Sequence, residues 1–144
     1  LLDSVLMPKA RLKEGLALSK TGAISAAIDS SDGLAWSLHE ISRASRVGIA
    51  LEKLPIADEV LKFAEANGLD PAELTLYGGE EYELVLTVKP RLWRRALGAS
   101  GGRLLLIGKV TAEKEIVFEF HGKRRIVERR GYEHFVSEKC LSQR

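Results

Sequence analysis

The sequence is poor in several features that most quickly identify a protein. Cys140 is its one cysteine, so no internal disulfide can form, and this fits a reducing compartment such as the cytoplasm. No apolar run reaches the roughly 20 residues that a membrane span needs. The opening Leu1-Leu2-Asp3-Ser4-Val5-Leu6-Met7 lacks the basic region and long apolar stretch of a secretory signal. Aromatics are 6% and the net charge is +2, which argues against a nucleic-acid surface of basic residues with stacking rings. There is no GxGxxG fingerprint, no His/Cys spacing that suits zinc, and no Ser/His/Asp arrangement that spacing alone supports. Internal repeats and low-complexity segments are also missing. What remains is 45% hydrophobic and 29% charged over 144 residues, the profile of one globular domain with a substantial core.

Against that background two short stretches stand out. The first is Ile28-Asp29-Ser30-Ser31-Asp32-Gly33-Leu34. Apolar Ala26, Ala27 and Ile28 precede it and a helical pattern follows from Leu34, so both acids and both hydroxyls fall where a buried strand turns into a helix N-terminus. Such an end carries free N–H groups and partial positive charge and suits anions. Carboxylates there can hold Mg²⁺, which prefers oxygen ligands and shares its shell with phosphates and water. The plainer reading is that Ser31 or Asp32 is an N-cap. The second stretch is Tyr77-Gly78-Gly79-Glu80-Glu81-Tyr82-Glu83-Leu84. Acids that lead into a buried strand are costly unless solvated, paired or ligand-bound. Gly78 and Gly79 permit positive φ or a close backbone approach. A tight turn with solvated glutamates is the alternative.

The surrounding pattern alternates strand and helix. Strands are expected at 23–29, 47–51, 82–88 and 103–110, with a hairpin of 115–120 and 124–128 about His121-Gly122. Helices are expected at 9–20 with Leu12, Leu16 and Ser19 on one side, at 33–46 with Leu34, Leu38, Ile41 and Ser45 aligned, at 57–67 with Val60, Leu61 and Ala64 inward, and at 91–97. Pro71 suits the first position of a further short helix. Leu84, Leu86 and Val88 share one face of their strand. The fold class is α+β, an α/β sandwich with a mixed sheet. His39 lies within a helix and reads as structural or solvated, His121 as a turn residue, and His134 as a residue that fixes a late turn. Lys123, Arg124, Arg125, Arg129 and Arg130 alternate with acids and read as a solvated face or a protected edge strand.

In order, Ile-Asp-Ser-Ser-Asp-Gly-Leu, Leu54-Pro55, Gly-Gly-Glu-Glu-Tyr-Glu-Leu and the late Gly131-Tyr132-Glu133-His134-Phe135 resemble the C-terminal domain of thiamine-monophosphate kinases. Met7-Pro8-Lys9-Ala10-Arg11 resembles the linker before that domain. The resemblance spans about residues 7–135. It implies an AIR synthetase C-terminal-domain-like fold, with residues 1–8 a linker from a missing N-terminal ATP-binding domain and residues 9–144 the C-terminal domain. The absence of an initiator Met agrees with a piece of a longer protein. The implied activity is transfer of the γ-phosphoryl of ATP to thiamine monophosphate, giving thiamine diphosphate, with ATP as co-substrate and Mg²⁺ as cofactor. The implied roles are Asp29 and Asp32 as Mg²⁺ ligands, Ser31 as an ATP contact, Glu80 as a hydrogen-bond partner of the substrate and Tyr132 beside its ring. A full-length homodimer is implied, and the piece alone is expected to be inactive. Related synthetases that make aminoimidazole ribonucleotide or selenophosphate, or that mature hydrogenases, share the architecture and form the alternative, as does a non-catalytic binding module. Three positions depart from the family's usual motif: Ser30 stands for Ile, Glu81 for Asp and Glu133 for Asp.

Overall fold

Six residues, Ile24–Asp29, form β1 and carry the acidic motif at their far end. The computed structural model describes residues 9–120 and 122–131, and the expectations for Tyr132, His121, His134, Cys140 and the 1–8 linker lie outside that range. Before β1 comes α1 (Leu12–Ser19), and after it α2 (Leu34–Ser45) and β2 (Gly48–Leu51). Two helices follow, α3 (Asp58–Asn67) and α4 (Pro71–Tyr77). Pro71 does open α4, and the Asp70 side chain caps it by accepting from the Ala72 N–H at 2.8 Å. The chain continues through β3 (Leu84–Val88), a 3₁₀ turn at Pro90–Leu92, α5 (Trp93–Ala99), β4 (Gly108–Thr111), β5 (Ile116–Phe120) and β6 (Lys123–Ile126).

The strands form two sheets. β1 pairs antiparallel with β3 alone. The other sheet runs β4-β2-β5-β6, with β2 parallel to β5 and the remaining pairs antiparallel, so the mixed sheet of the α+β expectation is present. Helix α2 lies against both sheets. Its Leu34, Leu38 and Ile41 join Ile49 and Leu51 of β2, Ile116 and Phe118 of β5, Leu76 of α4 and Val85 of β3 in the larger core. A second core holds Leu18 of α1, Ala23 and Ala96 of α5, with Ile24, Leu86, Val88, Leu92 and Leu104 packed on it.

One strand serves both cores because of a bulge. Ile24 pairs with Val88 but Ala26 pairs with Thr87, so β1 spends one extra residue at Ser25. Ile24 thereby turns with Leu86 and Val88 toward the second core, while Ala26 and Ile28 turn with Val85 toward the first.

Leu12, Leu16 and Ser19 share one side of α1 and that side is exposed, Leu12 at 67% and Leu16 at 54%, while Leu18 at 2% is the buried residue. Gly15 lies toward the sheet, where a Cβ would make ordinary contact with Leu84 Cδ1 at 3.5 Å. Two sequence expectations are corrected. In α3, Leu61 is 44% exposed and Ala64 alone is fully buried. The strand expected at 103–110 is regular only from Gly108; Leu104 packs on the second core while Leu105 and Leu106 are exposed.

Candidate active site

The two acidic motifs meet although some fifty residues separate them. Asp29, the last residue of β1, pairs with Leu84, the first residue of β3, so the turn after one strand and the loop before the other leave the sheet side by side. Backbone bonds then stitch them together. Ser30 N–H donates to Glu83 O at 2.9 Å, and Glu80 N–H donates to Ser31 O at 2.7 Å. The Ser30 hydroxyl, on a buried residue, accepts from Glu83 N–H at 3.2 Å. At Gly33, φ is 100° and ψ is 158°, and a Cβ there would meet Gly78 O at 2.7 Å. Only glycine holds that conformation easily, and only glycine fits that gap.

The late motif comes to the same place. A Cβ on Gly131 would lie 2.6 Å from Asp32 O and 3.1 Å from Trp36 Cβ. The segment before it is fixed along α2 and α4. His39 Nε2 and Val127 O are 2.9 Å apart, which makes His39 structural as one of its readings had it. Arg129 stacks over Trp36 at 4.4 Å and Arg130 over Tyr77 at 4.0 Å. Arg129 also pairs with Glu40, and Arg130 with Glu73 and Glu128. Arg125 pairs with Glu73 and Asp70, and Arg124 with Glu113 and Glu115. The basic residues read as a solvated face are thus partly spent in fastening the C-terminal stretch to two helices. Trp36 gave no sign of this role in the sequence beyond sitting one helical turn after Asp32.

The capping alternative for Ser31 and Asp32 does not hold. The N-cap of α2 is Gly33, and no side-chain hydrogen bond caps that end among the described residues. Ser37 instead turns its hydroxyl back to Asp29 O at 2.8 Å and Gly33 O at 3.1 Å, which ties the first turn of α2 to the strand end. Asp29 is exposed and Asp32 half-buried, both beside a helix N-terminus that retains its free donors.

Of the two uses expected of the glycine pair, Gly78 shows the close approach and not the positive φ: its φ is −69° and a Cβ there would lie 2.6 Å from Leu74 O, while the left-handed positions fall on Glu80 (φ 66°) and Tyr82 (φ 51°). Each such residue costs on the order of 1–3 kcal/mol and persists where neighbours hold it. The Glu81 carboxyl is pushed above the usual carboxylate range, first by desolvation and then by the negative charge of Glu83. Much of the Glu81 surface is nonetheless open, so water tempers the effect. Glu83 is engaged by Arg11 through Nε to Oε2 at 2.9 Å and a second nitrogen to Oε1 at 2.5 Å, and that bond is the main cause of the upward shift of the Arg11 guanidinium. Arg11 is a site neighbour that sequence reading missed, because nothing local links positions 11 and 83.

Among the described residues, no three His, Cys, Asp or Glu side chains cluster closely enough to enclose a metal ion. The donor set is two aspartates and Ser31 at one turn, the buried Ser30 hydroxyl being taken up by Glu83 N–H. That set suits part of a Mg²⁺ shell, since this ion commonly takes one or two carboxylates and completes its shell with phosphate and water. A groove of about 1430 Å³ borders Glu80, Glu81 and Glu83 and runs along β3 to residues 104–110. Its walls are largely apolar and the two aspartates are not among them, so the anion-suited turn lies at its side rather than within it. No helix among the described residues is long and apolar enough to cross a membrane.

Residues 1–121 match the family described as AIR synthase related protein, C-terminal domain. A thiamine-monophosphate kinase of Pyrococcus horikoshii is 34% identical over 93% of this chain and 41% of its own length. One from Archaeoglobus fulgidus is 38% identical over 92% of this chain and 39% of its own. Among solved structures, "AaThiL complexed with AMPPCP and TMP" superposes with a TM-score of 0.72 and 29% identity over 93% of this chain and 40% of that one. The chain therefore spans about two-fifths of the length of the relatives it matches.

Proposed function

The chain belongs to the AIR synthase related protein family as its C-terminal domain, and from that premise we propose that it is the C-terminal part of a kinase acting on thiamine monophosphate. In this reading the bond between the γ-phosphorus of ATP and its bridging oxygen breaks. A new bond forms from that phosphorus to a phosphate oxygen of thiamine monophosphate, and ADP leaves. The relatives called thiamine-monophosphate kinase support it, as does the similar structure holding AMPPCP and TMP. The observation that carries it is the convergence of three motifs on one turn: residues 29–33, residues 78–83 and Gly131. Residues 9–144 are then the C-terminal domain, residues 1–8 lead from an N-terminal ATP-binding domain, and the whole protein is a cytoplasmic homodimer.

The chemical task is to bring two anions together and in line, so positioning and charge compensation dominate. Asp29 and Asp32 are the residues that would hold Mg²⁺, which when bound offsets phosphate negative charge. The Ser31 hydroxyl donates to a nucleotide phosphate beside the free N–H groups of α2. Glu80, half-buried and on left-handed backbone, accepts from an N–H donor of the acceptor's heterocycle. Tyr132, the residue after Gly131, supplies a ring face to that heterocycle.

Asp29→Asn in the full-length protein tests this. Asp29 pairs through its backbone, and among the described residues its carboxylate makes no hydrogen bond or ion pair, so the variant keeps the thermal midpoint within a few degrees. Its kcat falls by more than about tenfold, since disturbing even the outer shell of a metal site costs 10–100-fold. An unchanged kcat would overturn the assignment.

A further inference from the structure

The loop that carries Glu80 does not support itself. Two of its residues, Glu80 and Tyr82, hold left-handed backbone that non-glycine residues leave unless neighbours fix them. Glu80 itself is tied by its N–H to Ser31 O at 2.7 Å, and the other fixing contacts fall on Glu83. Ser30 clasps it twice, its N–H donating to Glu83 O at 2.9 Å and its hydroxyl accepting from Glu83 N–H at 3.2 Å. Arg11 then grips the Glu83 carboxylate with two nitrogens, at 2.9 and 2.5 Å. The bond depends on the Ser30 hydroxyl, since an apolar side chain there would have no oxygen to accept with.

We propose that Ser30 and Arg11 are positioning residues that set the direction of Glu80 by holding Glu83 in place. The inference rests on the reading of Glu80 as the acceptor-facing carboxylate. The two contacts differ in kind. Ser30 is 2% exposed, so its hydroxyl acts in a site that water reaches poorly. The Arg11 and Glu83 side chains are 35% and 49% exposed, so their pair adds little to global stability. A guanidinium fork on a carboxylate still fixes direction, which is what a loop with two unfavourable backbone positions needs.

The test uses the full-length protein with Ser30→Ala, Ser30→Thr, Arg11→Gln and Glu80→Gln, read by steady-state kinetics and by amide hydrogen exchange at residues 79–83. In Ser30→Ala and Arg11→Gln the KM for thiamine monophosphate rises about fivefold, the value of one hydrogen bond, while the KM for ATP and the urea midpoint hold. Exchange at residues 79–83 quickens in both, and Ser30→Thr, which keeps the hydroxyl, restores both readouts. If Glu80→Gln raises that KM and the other variants do not, the proposal is overturned. If Glu80→Gln leaves the KM unchanged, the reading of Glu80 fails, and the role of Ser30 and Arg11 in directing it fails too. Unchanged exchange in both variants overturns the clamp whatever the kinetics.

Discussion

Gly33 shows how much of the site depends on single atoms. Its φ of 100° and the 2.7 Å gap to Gly78 O act together, so Gly33→Ala strains the backbone and forces the 78–83 loop away from the aspartate turn. We expect a loss of at least about 2 kcal/mol in urea unfolding, the strain term alone being of order 1–3 kcal/mol. An unchanged midpoint would mean the two loops separate without cost. At this scale the sequence was partly legible. The apolar run before Asp29 and the helical pattern after Leu34 place both aspartates where the structure has them. The partners of Ser30, Arg11 and Gly131 were not legible, because each depends on a residue more than fifty positions away. Nor does composition tell that Glu80 and Tyr82, rather than the adjacent glycines, take the left-handed backbone.

Among the elements, α2 was the most legible and α1 the least. Leu34, Leu38 and Ile41 recur at helical spacing and all three are buried, because a helix pressed between two sheets has one unambiguous apolar side. In α1 the leucines outnumber the inward positions, so the spacing that groups Leu12 with Leu16 does not tell which side is buried, and the structure buries Leu18. The two outcomes are separable by substitution. Leu18→Ala is expected to cost about 2–5 kcal/mol, as truncation of a fully buried leucine does. Leu16→Ala is expected to stay within about 0.5 kcal/mol. Chemical denaturation of both variants decides; equal losses would place α1 the other way round. Residues 103–107 teach the same lesson, for their apolar run reads as a strand while Leu104 and Ile107 pack inward on different cores and Leu105 and Leu106 stay exposed.

For the molecule as a whole, the site is one-sided. The described residues offer two aspartates, the Ser31 hydroxyl and an uncapped helix end, but no cluster that could enclose an ion unaided. Charge compensation for two phosphates needs more donors than that. The isolated chain, mixed with ATP, Mg²⁺ and thiamine monophosphate, is therefore expected to form no thiamine diphosphate above background in a chromatographic assay, and clear turnover would refute the division of labour proposed above. The fold class was readable from the alternation of strand and helix, and the mixed pairing of β2 with β4 and β5 agrees with it. The division of the interior into two cores was not, since it turns on one extra residue in β1.

That surplus residue has a consequence for how the domain could change over time. Ser25 works as a coupling between two modules: upstream of it the chain is keyed to α1 and α5, downstream to α2 and the aspartates. A one-codon deletion there would set Ile24 directly beside Ala26, still opposite Val88 and still on the face of Leu86, so both modules would stay keyed and only the local bend of the bulge would be lost. The surplus serine is slack in the ladder, a place where a change of length should be tolerated without disturbing the anion-suited turn.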